Sequence, residues 1–245
     1  MAMKAIKAAL AATILLGAAS AAQAAGTPIS IQNDVNSNLY TYTGGLSYPA
    51  AGSTVTIGGV DFTLASFFPP DFNAPDVGVI QSGDGSPTSI NIATPNVTIG
   101  ATTTFYSLVN SAFGVATNTV GDLTLNFAGG ATFVYDLTEG DNLRDHFNGS
   151  FNISAPNVYG TATFSDDRLD AQQIVLPGSY VGDVLTSITL NNTQPQFGNP
   201  FLAAFTVVDP GVGGVPEPAA WALMLTGFAG LGAMLRRHRR QAALA

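Results

Sequence analysis

GDLTLNFAGGATFVYDLT, residues 121–138, carries an apolar side chain at every second position along two consecutive runs. Leu123, Leu125 and Phe127 alternate with Thr124 and Asn126, and Phe133, Tyr135 and Leu137 alternate with Thr132, Val134 and Asp136. A period of two puts one set of side chains on a single face of an extended chain, whereas a helix would need a period of 3.6. Both runs therefore read as half-buried strands. Outward from them the same signal recurs. Val55 and Ile57, then Gly58-Gly59, then Val60, Phe62 and Leu64, predict a tight hairpin, because two glycines supply the positive φ angles of a two-residue turn. Further strands are expected within residues 102–109, 159–164, 172–176, 185–190 and 201–208. Turn clusters stand between them, at Ser82–Pro87 and at Asn191–Pro195. Phe67 to Ala74, with Pro69-Pro70 inside and Pro75 following, reads as an irregular loop, since prolines cannot donate ladder hydrogen bonds.

Between residues 25 and 210 no stretch combines helical periodicity with caps. Many short strands without helical crossovers imply antiparallel pairing. The expected fold class is all-β: an antiparallel β-sandwich, jelly-roll-like, over residues 25–208. No internal repeat of fixed length points to a propeller or β-helix.

The ends of the chain differ from its middle. Lys4 and Lys7 precede an apolar run from Ala8 to Ala19, and Ala22-Gln23-Ala24 supplies an A-x-A site, the pattern of a signal peptide over residues 1–24 cut between Ala24 and Ala25. Export by the Sec route follows. From Ala25 to Val215 the only fixed positive charges are Arg144 and Arg168, against fifteen Asp and Glu, a formal charge of −13. Such a balance repels nucleic acid and anionic lipid headgroups. Cysteine is absent, so an apolar core rather than disulfides must hold the exported fold.

Residues 209–215, DPGVGGV, form a Gly/Pro linker. Beyond it, Ala219 to Leu235 is seventeen residues without a charge, about 26 Å as a helix and just long enough for a single transmembrane span. Trp221 lies near one end, and Arg236, Arg237, Arg239 and Arg240 at the other resist translocation, keeping that end in the cytoplasm and the acidic domain outside. The tripeptide Pro216-Glu217-Pro218, the pair Trp221-Ala222, Gly227-Phe228 and the arginine cluster together resemble the PEP-CTERM sorting signal of Gram-negative bacteria, in its PEP-x-x-W-A variant. The resemblance covers about 26 residues, 215–240; His238 interrupts the arginines and Gln241 to Ala245 extend past the usual stop, but the Pro-Glu-Pro core is untouched. It implies recognition by an exosortase, an inner-membrane transpeptidase, with delivery to the cell surface or extracellular matrix.

Catalytic motifs are scarce. The chain has no G-x-S-x-G elbow, H-E-x-x-H, P-loop or dinucleotide fingerprint. The exported part has one histidine, His146, in GDNLRDHFNG, read as a loop or surface residue. In the same segment Arg144 and Asp145 are candidates for ligand binding, an arginine donating paired hydrogen bonds to a sugar or carboxylate; the other reading is a salt bridge from Arg144 that pins the loop. Asp166, Asp167 and Asp170 are a candidate calcium set, although no EF-hand or RTX spacing accompanies them. Tyr40, Tyr42, Tyr48, Phe67, Phe68 and Phe72 lie where exposed rings could stack on sugars, core packing being the alternative.

The succession GVDFTLAS, FYSLVNSAFG, GDLTLNFAGGATFVYDLTEGDNLRD, LTSITLNN and FLAAFTVV also resembles galactose-binding-like jelly rolls, which implies a glycan-binding or calcium-stabilised module rather than an enzyme. The expectation is a non-enzymatic surface or matrix protein with a structural or adhesive sandwich, exopolysaccharide and exosortase as partners, and no nucleic acid. The alternatives are a glycan-degrading enzyme, which needs two suitably spaced carboxylates, and a matrix filler without a specific ligand.

Overall fold

In the computed structural model the chain is described over residues 26–39, 48–67, 76–81, 88–114, 118–147, 154–194 and 198–209. The strands in these segments are β1 (Thr27–Ile29), β2 (Ser37–Asn38), β3 (Thr54–Ile57), β4 (Val60–Thr63), β5 (Ala65–Phe67), β6 (Asp76–Gln81), β7 (Ser89–Thr98), β8 (Thr104–Ala112), β9 (Thr119–Phe127), β10 (Thr132–Thr138), β11 (Gly160–Phe164), β12 (Asp167–Val175), β13 (Val184–Asn192) and β14 (Asn199–Val208). The fold is all-β with antiparallel sheets, and the only helical turn among the described residues is Gly178–Tyr180. All these strands belong to one compact unit, Ala25–Val212.

The stretch 121–138 forms β9 and β10, paired with Leu125 opposite Phe133 and joined through Gly129 and Gly130, whose φ angles are 89° and 90°. They belong to a four-stranded sheet in the order β10-β9-β13-β7. A larger sheet runs β11-β12-β8-β14-β6-β2, with β1 also on β14 and β5 also on β6. The two sheets face each other. Leu123 and Leu125 of β9, Ile188 and Leu190 of β13 and Ile92 of β7 share one buried cluster with Phe105 and Val109 of β8 and Leu202 and Phe205 of β14. Phe105 and Phe205 touch across adjacent strands, ring centroids 5.7 Å apart. Each such fully buried side chain contributes about 1.5–3 kcal/mol.

The other face of the large sheet is covered as well. The Gly58-Gly59 hairpin forms as its residues predict, with φ angles of 59° and 84°, and lays Val55, Ile57, Val60 and Phe62 against Leu108, Leu169, Ala171, Phe201 and Ala203. This second cover explains a feature that alternation misses: β14 is buried from Asn199 through Val207 and β8 from Phe105 through Ala112. Strands covered on both faces read as continuous rather than alternating apolar runs, as FLAAF in β14 does.

Several elements differ from the sequence expectations. β7 (SINIATPNVT) contains Pro95 and carries few strand-forming signals; it forms because it is an edge strand, where a missing N–H is tolerated, and its register with β13 breaks beside that proline. β12 begins at Asp167, five residues before the expected strand, because its charged residues are buried. Asn191 and Asn192 belong to β13 and not to a turn, Asn192 donating to Asn199 Oδ1 at 3.0 Å. Phe67 ends β5, and residues 68–75 of the expected loop lie outside the described residues. The signal peptide with Ala24 and Ala25, the linker from residue 210, Pro216-Glu217-Pro218, Trp221, Ala222, Gly227, Phe228, the span 219–235 and Arg236, Arg237, Arg239 and Arg240 lie outside the described residues.

At Gly121 of β9 an added Cβ would run into the Asn191 carbonyl oxygen of β13, whereas Gly178 has nothing within 4 Å. Gly121→Ala is expected to cost about 1–3 kcal/mol by overpacking, and Gly178→Ala to stay within about 0.5 kcal/mol. Urea unfolding midpoints of the two variants check this.

Candidate functional site

The segment that follows β10 turns back sharply. The Thr138 carbonyl accepts the N–H groups of Asp141, Asn142 and Leu143 at 3.1–3.2 Å, and Asn142 Oδ1 accepts Thr138 N–H at 2.9 Å. The chain then enters a gap between β8 and β12. Those strands pair only from Val175↔Thr104 to Ala171↔Leu108. Beyond that point Ser111 N–H donates to the Arg144 carbonyl (3.1 Å) and His146 N–H to the Ser111 carbonyl (2.9 Å); on the other side Arg168 N–H donates to the His146 carbonyl (2.8 Å). Phe147 bridges Asp167. Residues 143–147 are thus a wedge that supplies each neighbour with the backbone partners it would otherwise lack.

The wedge brings charge into the interior. Arg144 forks onto Asp170, Nε to Oδ2 at 2.7 Å and Nη2 to Oδ1 at 2.9 Å, and Nη2 also donates to Thr161 Oγ1 at 2.8 Å. Asp170 is fully buried and accepts further bonds from Asn110 Nδ2 (3.0 Å) and Thr161 Oγ1 (2.7 Å). These bonds raise the Arg144 pKa above its ordinary value. Arg168, 1 % exposed, donates from Nε to the Asp145 carbonyl at 2.8 Å and lies 4.0 Å from Asp170 Oδ2; burial, and then the charge of Arg144, lower its pKa. The Asp145 carboxylate receives Gly114 N–H at 2.9 Å and Phe147 N–H at 2.7 Å. Gln172 spans the gap, its amide bonded to Ser107, to the Val109 backbone and to the Asn142 carbonyl.

Two carboxylic acids complete the cluster without a cation of their own. Glu139 accepts the Ser111 hydroxyl at Oε1, while its buried Oε2 has no hydrogen-bond partner; burial pushes its pKa up to about 7. Asp167 Oδ1 is likewise buried without a hydrogen bond, and burial, reinforced by Asp166 and Asp145, pushes its pKa up to about 6. His146 Nδ1 is 2.8 Å from the Tyr48 hydroxyl and 3.8 Å from Asp167 Oδ1, and its ring meets Phe201 edge-on. Burial lowers the His146 pKa and raises that of Tyr48.

The site residues expected from sequence fare differently. Arg144 makes a salt bridge, but with Asp170 on β12 and not with its neighbours Asp141 or Asp145. Asp145 is 2 % exposed and turned to internal donors. His146 lies in a bend outside the named strands but is buried, 4 % exposed, which corrects the surface half of its reading as a loop or surface residue. The calcium set is corrected too. Asp167 and Asp170, three apart on a strand, project to opposite sides, Asp170 is saturated by Arg144, Asn110 and Thr161, and among the described residues no group of three acidic or imidazole side chains is placed to hold a metal ion. Tyr48 packs on His146 and Phe164. Tyr40, Tyr42, Phe68 and Phe72 lie outside the described residues. Glu139 and Gln172 were missed in sequence, and the available hint was that Glu139 is the only glutamate before residue 217.

A second polar surface lies on the far side of the four-stranded sheet. Its register stacks outward-facing residues into three rungs across β10, β9, β13 and β7: Thr132–Asn126–Ser187–Ala93, Val134–Thr124–Thr189–Asn91 and Asp136–Asp122–Asn191–Ser89. Strand spacing sets neighbouring residues of a rung about 4.8 Å apart and successive rungs about 7 Å apart. Side chains are tied laterally, Asn126 Nδ2 to Thr189 Oγ1 at 3.0 Å, Asn191 Nδ2 to Asp122 Oδ1 at 2.8 Å and Ser89 Oγ to Asn191 Oδ1 at 2.7 Å. No family model matches the chain, and no curated protein matches it in sequence.

Removing one partner of a buried ion pair leaves the other charge uncompensated, at a cost of about 3–5 kcal/mol. Arg144→Ala is expected to lose that much, and Arg144→Lys less, because an ammonium keeps the charge but loses the fork. Denaturant unfolding of the two variants reads the difference.

Proposed function

We propose that the chain is an exported cell-surface or extracellular-matrix protein, sorted by an exosortase through its C-terminal signal, whose jelly-roll-like β-sandwich binds exopolysaccharide. The sorting half rests on the order Pro216-Glu217-Pro218, apolar run, arginine cluster, behind an N-terminal export signal. In this reading Ala24 and Ala25 flank the signal cleavage, helix 219–235 holds the chain in the inner membrane before processing, and the four terminal arginines stay in the cytoplasm.

The adhesive half is carried by one observation, the rung-like outer face of the four-stranded sheet. Apart from Ala93 and Val134 its twelve positions are polar, and none is Lys, Arg or Glu. Short side chains already hydrogen-bonded to one another lose little rotamer freedom on binding, which lowers the cost of association. Each hydroxyl and amide keeps spare donor or acceptor capacity for the hydroxyls of a sugar polymer. A face without a large apolar centre is poorly suited to a protein partner, and a strongly acidic domain is poorly suited to nucleic acid. The acids whose pKa values are displaced, Glu139 and Asp167, are 1 % and 2 % exposed, which favours binding over glycan hydrolysis.

Two measurements test the proposal. Replacing Pro216-Glu217-Pro218 with alanines is expected to leave the chain in the inner-membrane fraction, and a reporter fused at Ala245 is expected to remain cytoplasmic; a periplasmic reporter overturns the topology. In affinity electrophoresis the protein is expected to be retarded by a neutral polymer such as hydroxyethylcellulose, and Thr124→Lys with Thr189→Lys is expected to abolish at least tenfold of that retardation without lowering thermal stability. Unretarded wild-type migration in neutral and acidic polysaccharide gels alike favours the matrix-filler alternative.

A further inference from the structure

The buried cluster around the wedge holds more acid than base. Arg144 and Arg168 both lie against Asp170, and the Asp145 carboxylate is held by backbone N–H groups, so two cations stand among four buried acids and Glu139 and Asp167 have neither an arginine nor a full set of donors. The excess is placed at the two ends of the inserted segment. Glu139 opens it, bridged to Leu143 and bonded to Ser111 of β8; Asp167 of β12 bridges Phe147, where the segment leaves the sheet. At each end one carboxyl oxygen is buried without a hydrogen-bond partner. A neutral carboxyl tolerates that position far better than a carboxylate, because an ionised oxygen out of water and without donors carries the full desolvation cost.

We propose that residues 139–147 form a proton-operated latch, seated between β8 and β12 while Glu139 and Asp167 are protonated and released when both ionise. Around Glu139 stand Ser111 of β8, Asp145 of the segment itself, and Arg168 and Asp170 of β12. Around Asp167 stand Asp166 beside it, Asp145 and His146 of the segment, and the Tyr48 hydroxyl. Ionising both acids turns a compensated cluster into one with two surplus negative charges, each close to Asp145. Release removes the Asp145 carboxylate from the N–H groups of Gly114 and Phe147 and reopens the gap between β8 and β12.

The direction with pH follows from proton counts. Burial lifts Glu139 from 4.5 to about 7 and Asp167 from 3.8 to about 6, so between these limits the seated latch holds protons that the released one has lost. Seating is therefore strongest at the acidic end of the window, weakens as pH rises through about 6 to 7, and levels off above it. His146 acts in the opposite sense, since burial lowers its pKa and released imidazole gains a proton on the acidic side of 6.5. It offsets part of the effect without cancelling two carboxyls.

The sequence itself provides a reporter. Between Lys7 and Arg236 trypsin has only two sites, Arg144 inside the latch and Arg168 within β12. In the full-length chain, purified in mild detergent, cleavage after Arg144 relative to cleavage after Arg168 is expected to rise roughly tenfold from pH 5.5 to pH 8.0. The ratio cancels the protease's own pH dependence. Glu139→Gln with Asp167→Asn keeps the shapes and removes the titration, so the ratio should become flat; should the pair fail to fold, Glu139→Gln alone is expected to remove at least half of the rise. A wild-type ratio that does not change with pH overturns the latch, as does an undiminished rise in a folded variant.

Discussion

The bidentate bond between Arg144 and Asp170 is the interaction on which the arrangement of the larger sheet depends. Both charges leave water, and their mutual attraction offsets that only because the fork geometry is good and Asn110 and Thr161 satisfy the remaining oxygens. Once made, the pair fixes the wedge between β8 and β12, and the wedge supplies hydrogen bonds to strands that have already diverged. The domain has two fixed cations, Arg168 fully buried and Arg144 partly so, and both are held against Asp170, so electrostatics here determine the position of a segment.

The same segment also protects the smaller sheet. β10 is an edge strand, and an open edge invites pairing with another chain. Asn142 Nδ2 occupies the Asp136 carbonyl at 2.8 Å while its Oδ1 takes Thr138 N–H, and Tyr180 Oη donates to the Thr132 carbonyl at 2.6 Å. Among the described residues no side-chain cap is seen at the middle of the edge, at Val134. The opposite edge, β7, is interrupted by Pro95. For a protein proposed to act at high local concentration in a matrix, blunt edges keep one domain from templating the next.

Interior and exterior polar groups therefore have distinct tasks. The outer rungs are mostly short Thr, Ser and Asn side chains, with Asp122 and Asp136 side by side on one of them, and several are mutually bonded, which suits recognition of a hydroxyl-rich polymer. The inner cluster carries the charges and the displaced pKa values, where ionisation controls seating of the latch rather than chemistry on a ligand. Neither depends on a disulfide, and the apolar layers on both faces of the large sheet supply the stability that a chain without cysteine needs.

Alternation in residues 121–138 was enough to establish antiparallel strands, and Gly58-Gly59 was enough to establish a hairpin, because both follow from local backbone geometry. Export signal, acidic charge and the Pro-Glu-Pro tail are likewise properties of the residues in order. The partner of Arg144 was beyond local reasoning: its neighbours Asp141 and Asp145 were equally acidic, and Asp170 becomes available only when β12 is laid beside the wedge. The burial of His146 escaped the loop-or-surface reading for the same reason, since nothing near it in sequence announces Tyr48 and Phe201 as its surroundings. Residue order determined the all-β character of this domain; tertiary structure decided which of its acids meet a cation and which are buried without one, because desolvation depends on what packs around a carboxyl from distant strands.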